Sequence, residues 1–337
     1  MKIPTAKQLS SGAYRVQVMV AGQRVSVTDE DPKVAVAKAM AIKAKMEDAK
    51  KSPRSMTVGE AIDRYIESKD AVLSPSTIRG YKRMRRTVFP DLANLKLKDL
   101  TQETVQRAIN KMAKNYSPKS VRNAHGLLSA TLATYNPDFV LRTTLPQKQK
   151  FEIQIPTQDE IKKILSAAKG TEMEIPLLLA VWLGLRLSEI RGLTWDCVNG
   201  NILHVKQAMV DGEDGAVLKG TKSFSGNRKI IMPDYLVGLI SAAPRKNEYI
   251  VSISGNTIYE KFQKICRDEN LPHYRFHDLR HVNASIMLAL GVPDKYAMER
   301  MGHATTNMLK TVYQHTMKSE QEQVAEKVNS YFEDVLL

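Results

Sequence analysis

Residues 277–315 hold a group of side chains suited to one reaction at phosphorus. FHDLRH places His277 beside Arg280, MGHATTN follows with His303, and LKTVYQH carries Tyr313. Upstream, GLRLSE supplies a second arginine, Arg186, and VLKGTKS supplies Lys222. A phenol such as Tyr313 has an ordinary pKa of about 10, so it attacks a phosphodiester only where nearby cations or a proton acceptor favour ionisation. Guanidiniums bind two phosphate oxygens at once and absorb the charge that builds on them in the transition state. If these groups converge, the chain cuts and rejoins DNA through its own tyrosine.

Each residue also has an ordinary reading. LLLAVWLGLRLSEIRGL reads as an apolar helix that turns polar at its end, where Arg186 can simply pair with Glu189 three residues on. Lys222 sits near an expected hairpin tip, with Ser225-Gly226-Asn227 close to the turn. It is either a solvated charge or an ammonium able to protonate a departing oxygen, and Lys219 competes for that part. His277 and Arg280 share one face of a helix beginning near His277. His303, just after Gly302, is placed to donate to a nonbridging oxygen. Five of the seven histidines fall between residues 273 and 315, which chance clustering explains poorly.

The elements that must position these groups form several domains. A length of 337 residues gives a prior of about two or three. No apolar run approaches the ~18 residues of a membrane span. The opening MKIPTAKQLSSG has no signal-peptide apolar region, and Cys197 and Cys266 form neither a metal motif nor a disulfide framework. Cytoplasm or nucleoid is the expected compartment. The net charge of +14 is uneven: residues 1–50 hold 9 Lys/Arg against 5 Asp/Glu, residues 51–150 hold 19 against 8, and the remainder 22 against 23. A basic block joined to a neutral one suggests a polyanion held by one part and processed by another.

Valines alternate through residues 14–27 around Ala21-Gly22, which predicts a hairpin whose other face carries Arg15, Gln17 and Arg24. Pro32 then opens a helix, completing a small domain over 1–50. KKSPRS and its surroundings, 51–56, read as a linker. Thr57 with Glu60, Ser74-Pro75, Thr101 and Ser117-Pro118 mark four helix starts, predicting a helical domain over 57–140. Arg79, Lys82, Arg83 and Arg86 gather on the second of these helices, and Lys119 and Arg122 open the fourth. These are the candidate DNA contacts. Residues 141–156 read as an extended linker, and Thr157 with Glu160 starts the last domain, 157–317. Residues 318–337 form a tail with apolar side chains at helical spacing.

GLRLSE, GTKS, HDLRH, MGH and TVYQH, in that order over residues 155–317, resemble the motifs of the tyrosine recombinases, or phage integrases. The three-part layout is similar to integrases of phages and conjugative elements. That resemblance implies a multidomain, mostly α fold of the DNA breaking-rejoining type. It comprises a small N-terminal β-sheet with a helix, a four-helix core-binding domain, and a mainly α catalytic domain with a small sheet. It assigns the catalytic roles to Arg186, Lys222, His277, Arg280, His303 and Tyr313. Tyr313 would form a 3′-phosphotyrosyl bond and free a 5′-hydroxyl, with no cofactor, ATP or metal. The implied partners are double-stranded DNA at core and arm sites, a homotetramer joined through the tail, and an excisionase or host DNA-bending protein. No membrane is involved. The rival readings are a type IB topoisomerase-like strand transferase and an inactive architectural DNA-binding protein.

Overall fold

Period-2 alternation builds the first sheet. In a computed structural model, which describes residues 4–20, 23–51, 55–148, 154–220 and 226–302, β1 (Lys7–Gln8), β2 (Tyr14–Val20) and β3 (Gln23–Asp29) run antiparallel in that order. Val16 faces Val27 and Val18 faces Val25 across the pair. Val16 and Val18 are buried against Ala35 and Ala39 of α1 (Pro32–Lys51), whose first residue is the expected proline. Arg15, Gln17 and Arg24 stand exposed on the opposite face. β1 is only two residues long, too short for periodicity to reveal.

The helical block comprises α2 (Val58–Lys69), α3 (Pro75–Thr87), the single turn α4 (Pro90–Ala93), α5 (Gln102–Asn115) and α6 (Pro118–Tyr135). Thr57 and Glu60 close a reciprocal capping box, with Glu60 Oε2 accepting from the Thr57 amide at 2.8 Å. Thr101 and Ser117 cap their helices as expected, whereas the Ser74 hydroxyl meets Ser76 Oγ and caps no amide. Ile62, Ile66, Ile78, Leu97, Ile109, Leu128 and Leu132 make the core. Each such burial contributes about 1.5–3 kcal/mol.

Chain contacts divide the molecule into residues 1–149 and 150–337. The second unit runs α7 (Gln158–Ala168), α8 (Glu174–Val181), α9 (Leu187–Arg191), β4 (Val198–Asn199), β5 (Ile202–Val205), β6 (Gln207–Asp211), β7 (Ala216–Gly220) and β8 (Arg228–Ile231). It continues with α10 (Asp234–Ala242), α11 (Gly255–Asp268), α12 (Asp278–Ala289) and α13 (Asp294–Met301). β4, β5 and β8 form one sheet in that order, and β6 and β7 pair separately. The expected turn at Ser225-Gly226-Asn227 is therefore misplaced. β7 pairs back onto β6 through a reversal at Gly212 and Gly215, while β8 pairs with β5. Gly215 takes φ +129°, a conformation glycine adopts at no steric cost.

Residues 141–148, read from sequence as part of a linker, are tied to the helical block. The Gln102 side chain donates to the Val140 carbonyl at 2.7 Å and accepts from the Arg142 amide at 2.9 Å. One turn along α5, Gln106 donates to the Thr144 carbonyl at 3.1 Å and accepts from its amide at 2.8 Å. Two glutamines at i and i+4 thus offer an extended strand the donor-acceptor alternation that a neighbouring strand would. Leu141 and Leu145 pack onto the core beneath. Nothing in the local sequence signals this, because the partners lie about 40 residues apart. Replacing both glutamines by alanine removes hydrogen bonds worth about 1 kcal/mol each, so amide exchange at Arg142 and Thr144 should quicken about fivefold or more. Unchanged exchange at these two amides would show that apolar packing alone holds the segment.

Candidate active site

GLRLSE is a helix end followed by a helix start, not the polar end of one long helix. α8 is followed by Gly184 at φ +67°, and the Leu185 amide reaches six residues back to the Leu179 carbonyl at 3.1 Å. Leu185 is buried, which fixes where the next residue starts. That residue, Arg186, is the N-cap of α9. Its amide donates to Glu189 Oε2 at 2.9 Å and its Nη1 to Glu189 Oε1 at 2.6 Å. The ion pair foreseen from spacing is therefore present, and it is part of something larger.

Glu189 is 3% exposed and lies within reach of three guanidiniums. Arg228, at the start of β8, donates Nη1 to Oε1 at 3.2 Å and Nη2 to Oε2 at 3.0 Å. Arg280 Nη1 stands 3.9 Å from Oε2. Burial alone would raise the Glu189 carboxyl, but the hydrogen bonds and charge of Arg228 and the charge of Arg186 outweigh it and hold the pKa below the ordinary value. One carboxylate among three cations leaves the cluster with net positive charge. Sequence reasoning missed Arg228. The sequence of β8, RKII, has no alternation that marks Arg228, although in the structure Arg228 and Ile230 are both buried.

The same three arginines take the end of α13. A helix leaves its last carbonyls unpaired and carries partial negative charge there. Arg228 Nε donates to the Arg300 carbonyl at 2.8 Å, Arg280 Nη2 donates to that of Met301, and Arg186 Nη2 donates to that of Gly302 at 3.0 Å. Arg280 Nη1 also donates to the Gly184 carbonyl. Arg280 is 1% exposed, and its Nε is buried with no hydrogen-bond partner among the described residues. Burial, and then the charge of Arg186, push its pKa down to about 9, which leaves it protonated at neutral pH.

His277 occupies the N-cap position of α12 without a side-chain capping bond and is solvent-exposed, with its ring 5.0 Å from that of buried His281 in an edge-to-face arrangement. Lost hydration on its inner side, then the charges of His281, Arg280 and Arg186, push its pKa down to about 4. It is neutral at physiological pH. The structure thus brings together Arg186, His277 and Arg280. Lys222, His303 and Tyr313 lie outside the described residues, as does the tail 318–337. Lys219 is exposed on β7. The hairpin that carries it is fixed to α9 by Arg191, whose Nη2 donates to Asp211 at 2.8 Å.

Of the candidate DNA contacts in the first unit, Arg79, Arg83, Arg86 and Lys119 are exposed, and Lys82 is half-buried. Arg122 is placed otherwise: it is half-buried, and its Nη2 donates to the Pro146 carbonyl at 2.7 Å, helping to hold residues 140–148. Arg85, between the exposed arginines, turns inward to Asp63 and the Gly59 carbonyl.

The sequence profile described as the Phage integrase family matches residues 155–320. A second, the N-terminal SAM-like domain of phage integrases, matches residues 57–113. The chain belongs to the phage integrase family. As a member it is a tyrosine-type site-specific recombinase, and its mostly helical fold with small antiparallel sheets is that of the family. Among its relatives, the XerC-like tyrosine recombinase of Caldanaerobacter subterraneus subsp. tengcongensis is 24% identical over 77% of this chain and 78% of its own. The ICEBs1 integrase of Bacillus subtilis is 22% identical over 96% of this chain and 99% of its own. Among solved structures, the Tn1549 transposon integrase in complex with transposon right end DNA superposes with a TM-score of 0.65 at 20% identity, covering 80% of this chain and all of that one (100%). A lambda integrase dimer bound to a core site superposes at 0.61 and 18% identity, over 92% and 94%. No helix among the described residues is long and apolar enough to cross a membrane.

The depressed pKa of His277 has a consequence for folding. An unfolded histidine takes up its proton near 6.5 and the folded one only near 4, so the unfolded state binds more protons between these values. The stability carried by the neutral ring is complete above about 6.5 and is lost as the pH falls toward about 4. NMR titration of the His277 ring should give a midpoint near 4, and a midpoint near 6.5 would contradict the lost hydration and cationic neighbours described.

Proposed function

We propose that the chain integrates and excises a mobile element by cutting and rejoining double-stranded DNA, with Tyr313 as the nucleophile. The observation that supports this best is the convergence of Arg186 and Arg280 beside His277. Two cations from distant parts of the chain meet on the end of the helix that leads directly to residue 303. A scissile phosphate placed against them would receive donors from both guanidiniums, and the unpartnered Nε of Arg280 is a buried N–H that a phosphate oxygen would satisfy.

In the first step Tyr313 gives up its phenolic proton to solvent, and its oxygen forms a bond to phosphorus as the bond to the 5′ oxygen breaks. Lys222 supplies the proton that makes the departing group a 5′-hydroxyl. His303 donates to a nonbridging oxygen, and neutral His277 stands beside Arg280 as a further hydrogen-bonding group. The product is a 3′-phosphotyrosyl bond, and the 5′-hydroxyl of a partner strand reverses the step. One phosphodiester replaces another, so the exchange consumes no ATP. Each preorganised donor to the developing charge is worth about 3–4 kcal/mol, which suffices for the arginines to supply the neutralisation that a metal gives elsewhere.

The exposed arginines of α3, together with Lys119, form the surface that grips the core site. The exposed face of β2 and β3, with Arg15, Gln17 and Arg24, reads arm sites. The solved integrases bound to DNA, and the lambda integrase tetramer on a Holliday junction, support DNA as the substrate and a homotetramer as the working form. The tail 318–337 makes the contact between subunits. An excisionase or a host DNA-bending protein sets direction, and the reaction takes place on nucleoid DNA in the cytoplasm of the host.

Tyr313→Phe should abolish covalent trapping on a nicked suicide duplex while leaving DNA binding intact. A covalent complex persisting in that variant would remove Tyr313 from the mechanism. Each phosphate contact contributes about 0.9 to the slope of log affinity against log salt, so Arg79→Ala with Arg83→Ala should flatten that slope by about 1.8. An unchanged slope would mark this face of α3 as merely solvated.

A further inference from the structure

We infer that Arg228 is a positioning residue of the strand-transfer site, acting through Glu189 to keep Arg186 and Arg280 available to a phosphate. The inference rests on the reading above, in which those two arginines hold the scissile group. Three observations carry it. Arg228 is buried and engages both oxygens of Glu189, with Nη1 and Nη2 at 3.2 and 3.0 Å. Its third donor, Nε, goes to the Arg300 carbonyl at 2.8 Å, at the end of the helix that leads into residue 303. Its backbone sits in register with Val205 in the β5–β8 ladder, so the guanidinium projects from a rigid strand.

Glu189 has the geometry to disable the site as well as to build it. A buried carboxylate seeks as many donors as it can reach, and two guanidiniums, those of Arg186 and Arg280, are within 4 Å. Were it left with only these, its charge would draw Arg280 inward from 3.9 Å and hold Arg186 by both forks. The phosphate would then compete with an internal anion for the same donors. Arg228 occupies that anion. Arg186 is left with one Nη on Glu189, and Arg280 is left with no carboxylate closer than 3.9 Å among the described residues. Arg228 does not reach the substrate in this arrangement; its effect is on where two other cations point.

The experiment measures single-turnover cleavage of a suicide duplex at saturating protein, alongside DNA affinity and thermal unfolding. The duplex carries the attachment core recovered by sequencing covalently trapped DNA. Four proteins are compared: wild type, Arg228→Gln, Glu189→Gln and the double variant, with Arg228→Lys as a fifth. Arg228→Gln should slow cleavage about 30-fold or more while changing DNA affinity less than about threefold, because the defect lies in the reacting geometry. Adding Glu189→Gln should restore about tenfold of that loss, because the unpaired anion is gone while its amide oxygen still caps the Arg186 amide. Arg228→Lys, which keeps the charge but not the fork, should fall between wild type and Arg228→Gln.

A residue needed only for folding would lower the unfolding temperature and give no rescue on removal of Glu189's charge. Strictly additive losses, or cleavage by Arg228→Gln at the wild-type rate, would overturn the inference. If Arg228→Gln does not fold, the lysine variant carries the test in the same way: its cleavage should be impaired and should be partly restored by Glu189→Gln, and a wild-type rate overturns the inference. Wild-type protein that forms no covalent complex at all would instead overturn the parent reading.

Discussion

The structure of the second unit, residues 150–337, turns on one buried carboxylate. Glu189 accepts from the backbone of Arg186, from its guanidinium and from both forks of Arg228, and it lies near Arg280. Isolated charges are costly to bury, and a single carboxylate among three guanidiniums only partly offsets them. The remaining positive charge is screened little, because Glu189 and two of the three guanidiniums are buried. A cluster of that sign, net cationic and rich in donors, is unfavourable in a merely structural position. It is what an anion-handling site requires.

The second half of the arrangement is a helix end. α13 presents the carbonyls of Arg300, Met301 and Gly302, and each takes one donor from a different arginine. Those arginines come from the start of α9, from β8 and from the first turn of α12, so three segments besides α13 must be in place before all three carbonyls are satisfied. The same bonds set the exit direction of the chain at Gly302, which takes φ +64°. Electrostatics and backbone geometry therefore cooperate at this helix end, where the arginine donors and the left-handed turn at Gly302 coincide.

Much of this was legible in the sequence, and the reasons differ from residue to residue. Helix starts at Thr57, Thr101, Ser117 and Thr157 were readable because capping is local chemistry over four residues. The β2–β3 hairpin was readable because its alternation is unbroken. Arg186, His277 and Arg280 could be singled out because their residue types are unusual for their neighbourhoods and recur in ordered motifs. Three features escaped. Arg228 hides in a short strand, where a basic residue gives no hint of whether it faces inward. The clamp made by Gln102 and Gln106 joins segments about 40 residues apart through ordinary side chains. The hairpin turn was misread because Ser225-Gly226-Asn227 has turn chemistry, yet the strands flanking it pair elsewhere, β7 with β6 and β8 with β5. Long-range pairing, not local propensity, decided all three.

The central claim is that Arg186 meets the negative charge of a scissile phosphate. The most direct measurement compares wild type and Arg186→Ala on two suicide duplexes, one with an ordinary phosphodiester at the cleavage position and one with an uncharged methylphosphonate there. Loss of a donor to a charged transition state should slow the phosphodiester reaction by about 10²–10³, and the defect should shrink to about tenfold or less when the substrate carries no charge to neutralise. An equal defect on both substrates would contradict the account, because Arg186 would then be needed for the shape of the site and not for the charge it meets.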